Sequence, residues 1–451
     1  MEVLYNLARK SHDFIWRNEN ILKNNAYWVS LVVLIGMIFT ACTSSSEIAT
    51  DMPQEITIEP TVVEKPQETE QTPEIEDPGL ELACTISLWH SFNENEIVSL
   101  LSVSDAYQEI QPDIEFDFLY TPNYDIKNKY EMAAATGGGP SILIGSGEWG
   151  SSLYDDSLIQ EITEFTDSEL LDTVNQAALR PFQYQGTLIG LPLNLKGVVM
   201  FRNATVVTEA PESFNELVNL AKSATAGDLI GAYLDYGLFY SGGHLQAVGG
   251  SLMDADGNPT FNDEKGIEWL EMLKRYEEAG PIEHNNDNGL NLFLENRVGI
   301  IIDDLSNASN LAEAIGIENL VIDSWPSDMS GYVQSDGIYL NANLTGHDLE
   351  CGWSFMEFLL SAEAQEIFSD PSMAGYIPPV MGLDLVDPLQ KQAAAAFAKG
   401  TTLPVIPEMR AYWDPVNNAL LAVVEFGIDP GEALLAAEEA VLSNISEIRE
   451  E

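Results

Sequence analysis

Apolar and polar residues begin to alternate at Thr85-Ile86-Ser87-Leu88-Trp89-His90, and a period of two predicts a strand there. Ile97, Leu100, Leu101, Tyr107 and Ile110 then recur at helical spacing, up to Gln111-Pro112. Residues 114–119 read as a second strand and 126–136 as a second helix, broken at Gly137-Gly138-Gly139-Pro140. Residues 141–144 read as a third strand. This order predicts a parallel sheet with crossover helices, in which ligands sit beyond the carboxyl ends of the strands. His90-Ser91-Phe92-Asn93 and Gly145-Ser146-Gly147-Glu148-Trp149 occupy two such ends. No GK[ST] follows the glycine triplet, so it reads as a turn and not as a phosphate loop.

Further along, residues 189–203 (IGLPLNLKGVVMFRN) run extended through a proline into an apolar stretch, as a crossing between domains or an edge strand would. Ser213 and Glu216 have the spacing of a capping box at the start of a helix. Asp254-Ala255-Asp256-Gly257 opens like a calcium loop but lacks the remaining ligands, and turn chemistry accounts for it. Residues 263–279 are amphipathic through Ile267, Leu270, Leu273 and Tyr276. Residues 298–304 (VGIIIDD) predict a buried strand ending in two carboxylates, and 351–368 one strongly apolar helix. Asp429-Pro430 supplies an N-cap and an N1 proline for a closing helix over 433–448.

Ahead of this body the pattern is different. An apolar run over residues 27–41 follows Arg9, Lys10, Arg17 and Lys23. It is shorter than the roughly 20 residues a membrane span needs, and it ends in small residues, so 1–41 reads as a signal peptide. Cys42 follows at once, in a setting that resembles a bacterial lipobox, although Phe39 stands where that pattern favours Leu. An acylated Cys42 would leave the chain extracytoplasmic and lipid-anchored to the cell membrane. The other reading is an uncleaved anchor helix. Residues 43–82 hold eleven Asp/Glu against Lys65 alone, with much Pro, Ser and Thr, which predicts an extended tether spanning 42–82.

The chain has 451 residues, 45% of them apolar, and a formal net charge of −53. A surface so acidic repels phosphate backbones, which excludes nucleic acid as a partner. With Cys42 acylated, Cys84 and Cys351 remain either as one disulfide or as two buried thiols. Without CxxC, HExxH or a histidine cluster, no metal site and no cofactor is expected.

Residues 85–91 (TISLWHS), 189–203, 211–221 (PESFNELVNLA), 293–303 (FLENRVGIIID), 362–365 (AEAQ) and 406–416 (IPEMRAYWDPV) occur in an order that carries a resemblance. They are similar to segments of the carbohydrate-binding family of ABC-importer solute receptors, which includes maltose-binding protein. Asn296-Arg297 departs from the usual glycine-basic pair. The resemblance implies an α/β, two-lobed periplasmic-binding-protein-like fold with open sheets flanked by helices and an interlobe hinge. It places lobe 1 at 83–192 with 333–372 and lobe 2 at 193–332 with 373–451. It also implies a sugar in the interlobe cleft, delivery to ABC permease subunits, a monomer, and no enzyme activity.

Sugar faces stack on aromatic rings, and their hydroxyl rims want planar hydrogen-bonding groups. The resemblance carries the ligand-binding expectation to Trp413, for which a core position is the other reading. It does the same for Glu148, Trp149, His90, Ser91, Asn93, Asn194 and Lys196, where Lys196 replaces a glutamate. Tyr240 and His244 fall on a cleft-facing or merely solvated loop, and Asp303 and Asp304 either face the cleft or cap a turn. Ser306 stands where a stacking tryptophan is found in the family. Three competing readings are the same fold with a polyamine, glycerophosphodiester or other small solute, a secreted carbohydrate-active enzyme, and a scaffold with no permease. A glycosidase needs two carboxylates at defined separation, and no spacing here marks such a pair.

Overall fold

The computed structural model describes residues 83–449, so the signal segment, Cys42 and the tether lie outside the described residues. Strand β1 (Cys84–His90) lies between β2 (Ile114–Tyr120) and β3 (Ile142–Ser146), parallel to both. Helices Glu94–Ile110 and Asn123–Ala134 make the crossovers. The hairpin β4 (Gln183–Tyr184) and β5 (Thr187–Leu188) stands apart, while β6 (Leu191–Pro192) returns to the first sheet. Strand β3 runs past residue 144 because β13 (Asp336–Leu340) pairs with it antiparallel as far as Ser146. Local alternation cannot show that partner.

A second sheet is built on β7 (Lys196–Asn203), whose residues after Lys196 are all buried. One edge of β7 carries β10 (Val298–Asp304), which runs parallel to β8 (Ile230–Asp235), itself parallel to β9 (Ile282–Glu283). The other edge is shared by β12 (Tyr332–Gln334) at its start and β11 (Leu320–Asp323) at its end, and β14 (Thr401–Thr402) extends β12. Arg202 and Asp323 pin β7 to β11 through two buried hydrogen bonds of 2.6 and 3.0 Å. A paired guanidinium is the form in which such charges tolerate burial.

Each sheet has its own apolar core. Leu88, Ile142, Tyr339 and Phe355 lie in the first, and Phe201, Trp269, Tyr276 and Leu420 in the second. Segments around Leu193–Leu195, Ser335 and Ile377 pass between the sheets. They lie side by side: Asn194 bonds to Asp336, and Leu195 N–H donates to the Ile377 carbonyl at 2.7 Å. The segment 189–203 therefore holds both readings: β6 is the edge strand of the first sheet, and the chain then crosses into β7 of the second. Gly197 sits in it at φ +133°, where a Cβ would meet the Tyr332 carbonyl oxygen. Only glycine tolerates both demands.

Local expectations fared unevenly. Asp429 caps helix Pro430–Ile448, and Asp254 closes its turn by accepting the N–H groups of Asp256 and Asn258. The stretch 351–368 is two helices, Gly346–Phe358 and Ala362–Phe368, because Ser361 caps the second by accepting Ala364 N–H. Ser213 accepts Glu216 N–H, but the Glu216 carboxylate takes Glu212 N–H, so the capping box is half made. Cys84 and Cys351 form a disulfide that joins β1 to helix Gly346–Phe358. Among the described residues no helix is long and apolar enough to cross a membrane.

Candidate functional site

The first sheet ends in His90, Tyr120 and the Ser146–Trp149 turn. His90 is only 2% exposed; its Nδ1 accepts Phe92 N–H at 3.1 Å, and burial pulls its pKa down to about 4. It is a neutral strand-end group that orders the next turn, with little surface to offer a solute. Ser91 beside it is half-buried. Asn93 Oδ1 accepts Asn95 and Glu96 N–H while Glu96 accepts Asn93 N–H, a full capping box. Helix capping accounts for Asn93, which remains exposed. Glu148 is exposed and accepts Gln334 Nε2 at 2.9 Å, a contact from the first sheet to β12 of the second. Half-buried Trp149 packs against Gly145, where any Cβ would strike its ring.

At the crossing Asn194 is buried. Its Nδ2 donates to Asp336 Oδ2 at 2.7 Å and its Oδ1 accepts Asp336 N–H at 2.9 Å. Lys196 Nζ meets Asp336 Oδ1 at 2.5 Å, so the lysine that replaces a glutamate already has its counter-charge.

The second sheet ends in carboxylates. Asp235, Glu283 and Asp303 close the neighbouring parallel strands β8, β9 and β10, and all three are buried. Asp235 accepts the N–H groups of Gly237, Asn285 and Asn286, and Glu283 those of Asn288 and Gly289. Asp303 Oδ1 accepts Asp304 N–H at 2.7 Å and Asn307 Nδ2 at 3.1 Å. Burial pushes Asp235 and Asp303 up to about 6 and Glu283 up to about 7, and the charges acting on them are each other's and those of Asp304 and Asp287. Sequence reading missed Asp235 and Glu283; the apolar run IGAYLD before Asp235 was the one signal available.

Tyr240 is half-buried beside this group, and its phenol is pushed up by burial first and by Asp303 and Asp235 next. Trp413 opens helix Trp413–Val424, half-buried against the second core. Its carbonyl accepts Asn417 Nδ2, and Asn417 Oδ1 accepts Leu238 N–H at 2.9 Å and faces His284 Nε2 at 3.2 Å. That tie joins the helix opened by Trp413 to the Leu238–Ser241 segment bearing Tyr240, and Tyr240 in turn lies close enough to Asp303 for that charge to act on its phenol. His244 does not join them. It lies fully buried on helix Gly243–Ala247, its Nδ1 against Ser330 and its Nε2 2.6 Å from Tyr276 Oη. Asp304 accepts Ser306 N–H and caps the following short helix.

Two sheets with separate cores, joined by several extended crossings and ending in polar and aromatic groups, define a two-lobed binding protein. The Bacterial extracellular solute-binding protein family profile matches residues 102–398, and the chain belongs to that family. It is a binding protein and not an enzyme, and it is extracytoplasmic. It is similar to the maltotriose-binding protein of Pyrococcus abyssi, at 24% identity over 389 residues, covering 80% of this chain and 82% of that protein. The galactooligosaccharide-binding protein of Bacillus subtilis is 24% identical over 342 residues, 70% of this chain and 79% of the other. A cyclo/maltodextrin-binding protein solved with maltotetraose superposes with a TM-score of 0.72 at 22% identity, covering 80% of this chain and 97% of that one.

Proposed function

We propose that the chain is a membrane-anchored receptor that binds an oligosaccharide of the maltotriose type between its lobes and hands it to an ABC permease. The lobes follow 83–192 with 333–372 and 193–332 with 373–451, except that Val333 and Gln334 of β12 go with the second sheet and Tyr376 and Val380 with the first core. The observation that carries the ligand class is half-buried Tyr240 beside Asp303 at one end of the second sheet, with half-buried Trp413 opening the helix tied to the segment that bears Tyr240. An indole face takes the apolar side of a pyranose, and the phenol and carboxylate take its hydroxyls. Glu148 and Trp149 supply the facing wall, and solute touching both walls favours the closed arrangement by its differential affinity. Relatives that bind maltotriose and galactooligosaccharides support this reading. Acylated Cys42 and the acidic tether hold the receptor near its permease and raise its effective concentration there. No second copy is needed to complete the site.

The test is a thermal shift with maltotriose. At 100 times its dissociation constant a ligand stabilises by about 2.7 kcal/mol, and Trp413→Ala is expected to abolish the shift. Equal shifts in both proteins would refute the role of Trp413. Release of Cys42→Ala protein from the membrane fraction tests the anchor; retention refutes it. Asp235, Glu283 and Asp303, hydrogen-bonded but in no ion pair among the described residues, favour a second reading, a cationic solute such as spermidine. A spermidine shift larger than any sugar's would select it.

A further inference from the structure

Cys84 and Cys351 lie 267 residues apart in sequence, so no local spacing announces what the fold brings to them. His347 stands one turn before Cys351 on helix Gly346–Phe358. Its Nε2 is 3.8 Å from Cys351 Sγ, and the donor atoms of Cys84, His347 and Cys351 all lie within 4.8 Å of one another. Around a tetrahedral Zn²⁺, with bonds of about 2.3 Å to sulfur and about 2.1 Å to nitrogen, such donors stand about 3.5–3.8 Å apart. The histidine is already at ligand spacing from one sulfur.

The surroundings also suit a cation. His347 Nδ1 lies 3.6 Å from Glu350 Oε2, the carboxylate–imidazole arrangement that leaves Nε2 for a metal and raises its basicity. Nε2 faces the Ala83 carbonyl at 3.2 Å, a contact that an ion would replace. Cys351 is 1% exposed, Cys84 is half-buried and His347 is exposed, so an ion reaches the set from the histidine side, where water completes the tetrahedron. Two thiolates cancel the charge of Zn²⁺, and the net charge of −53 draws cations to the surface. Two sulfurs and a nitrogen select Zn²⁺ over Ca²⁺ and Mg²⁺, which prefer oxygen. Cys84 opens β1 and His90 ends it about 20 Å away, so the site does not depend on what the cleft binds.

We propose that Cys84, Cys351 and His347 form a Zn²⁺ site in the dithiol form of the chain, so that the same place holds either a sulfur bridge or a metal clip. A newly made chain carries both cysteines as thiols. A dithiol restores them by giving two electrons and two protons to the bridge while closing into its own disulfide. With Cα atoms 6.7 Å apart, rotation of the two side chains parts the sulfurs to ligand spacing. Zn²⁺ then takes both sulfurs, and one proton from each goes to solvent. Either clip ties β1 to helix Gly346–Phe358.

The experiment uses the full chain with Cys42→Ala, which leaves two thiols, reduced with dithiothreitol and desalted without oxygen. Co²⁺ is the probe: bound to sulfur in a tetrahedron it absorbs strongly, with sulfur-to-metal charge-transfer bands, whereas on surface carboxylates it is octahedral and absorbs weakly. A single equivalent should give the tetrahedral spectrum, and Zn²⁺ should displace it. The unreduced chain should give none. Zn²⁺ should also raise the urea midpoint of the reduced chain, because metal binding is folding free energy. His347→Ala should weaken Zn²⁺ binding at least about tenfold. Cooperative urea unfolding of that variant in its disulfide form confirms that it folds. No tetrahedral spectrum after reduction, the same spectrum without it, an unmoved midpoint, or unweakened binding in His347→Ala overturns the proposal.

Discussion

Asp303→Asn should make the protein more stable at neutral pH. Asp303 is 8% exposed, and burial moves its carboxyl from 3.8 up to about 6. A raised carboxyl is protonated in the folded chain over a range where the unfolded chain has lost the proton. Its penalty is absent below about pH 4, grows as pH rises through 6, and is complete above that. The full difference corresponds to about 3 kcal/mol, and relaxation around a charge shared with Asp235, Glu283 and Asp304 reduces it to about 1–2 kcal/mol. Asparagine keeps the oxygen that accepts Asp304 N–H and Asn307 Nδ2, and it places an amide where the second carboxylate oxygen makes no hydrogen bond among the described residues. Urea unfolding at pH 7.5 and pH 4.5 reads the effect. The variant should gain at the higher pH, and the gain should shrink towards zero at the lower. A variant no more stable than the native chain at pH 7.5, or a gap that does not change with pH, would show that Asp303 carries no buried-charge penalty.

Other perturbations follow from the fold. Replacing Cys84 and Cys351 by Ser should lower stability by about 2–4 kcal/mol, since the bridge closes a loop between residues 267 apart in sequence. Reductant should bring the native urea midpoint down to that of the variant; coincident midpoints without reductant would refute this. Gly197→Ala should cost roughly 2–3 kcal/mol, because a Cβ at φ +133° meets the Tyr332 carbonyl, and a melting temperature within a degree of native would contradict it. Arg202→Met should cost about 3–5 kcal/mol by stranding Asp323, and Arg202→Met with Asp323→Leu should recover most of it. Failure of that recovery in urea unfolding would mean packing, not charge, sets the cost.

The first sheet was legible because β1 to β3 and their crossover helices lie close in the chain and each shows its own periodicity. β7 was legible from its apolar run, and Asp429 from its proline. Elements that exist only through a distant partner were not: β9 and β14 are two residues each, and pairing with β8 and β12 creates them. The same holds within the site. Trp413 and Tyr240 carry shapes suited to sugars and could be named, whereas Asp235 and Glu283 reach Asp303 only by parallel pairing of strands far apart in sequence. His90 looked available from its place after an alternating strand, but the sheet buries it. Asn93 looked like a ligand group until the helix it caps was in place.

The sulfur bridge at Cys84 also settles how mechanical load spreads. Any pull arriving from the N-terminal side reaches Cys84 first and is shared at once between a central strand and the helix behind it. The second sheet meets the first through its crossings and surface contacts such as Glu148–Gln334, and none of its strands pairs with β1. Tension entering from that side is therefore borne by the bridged strand and helix, and the strands of the second sheet lie off its line.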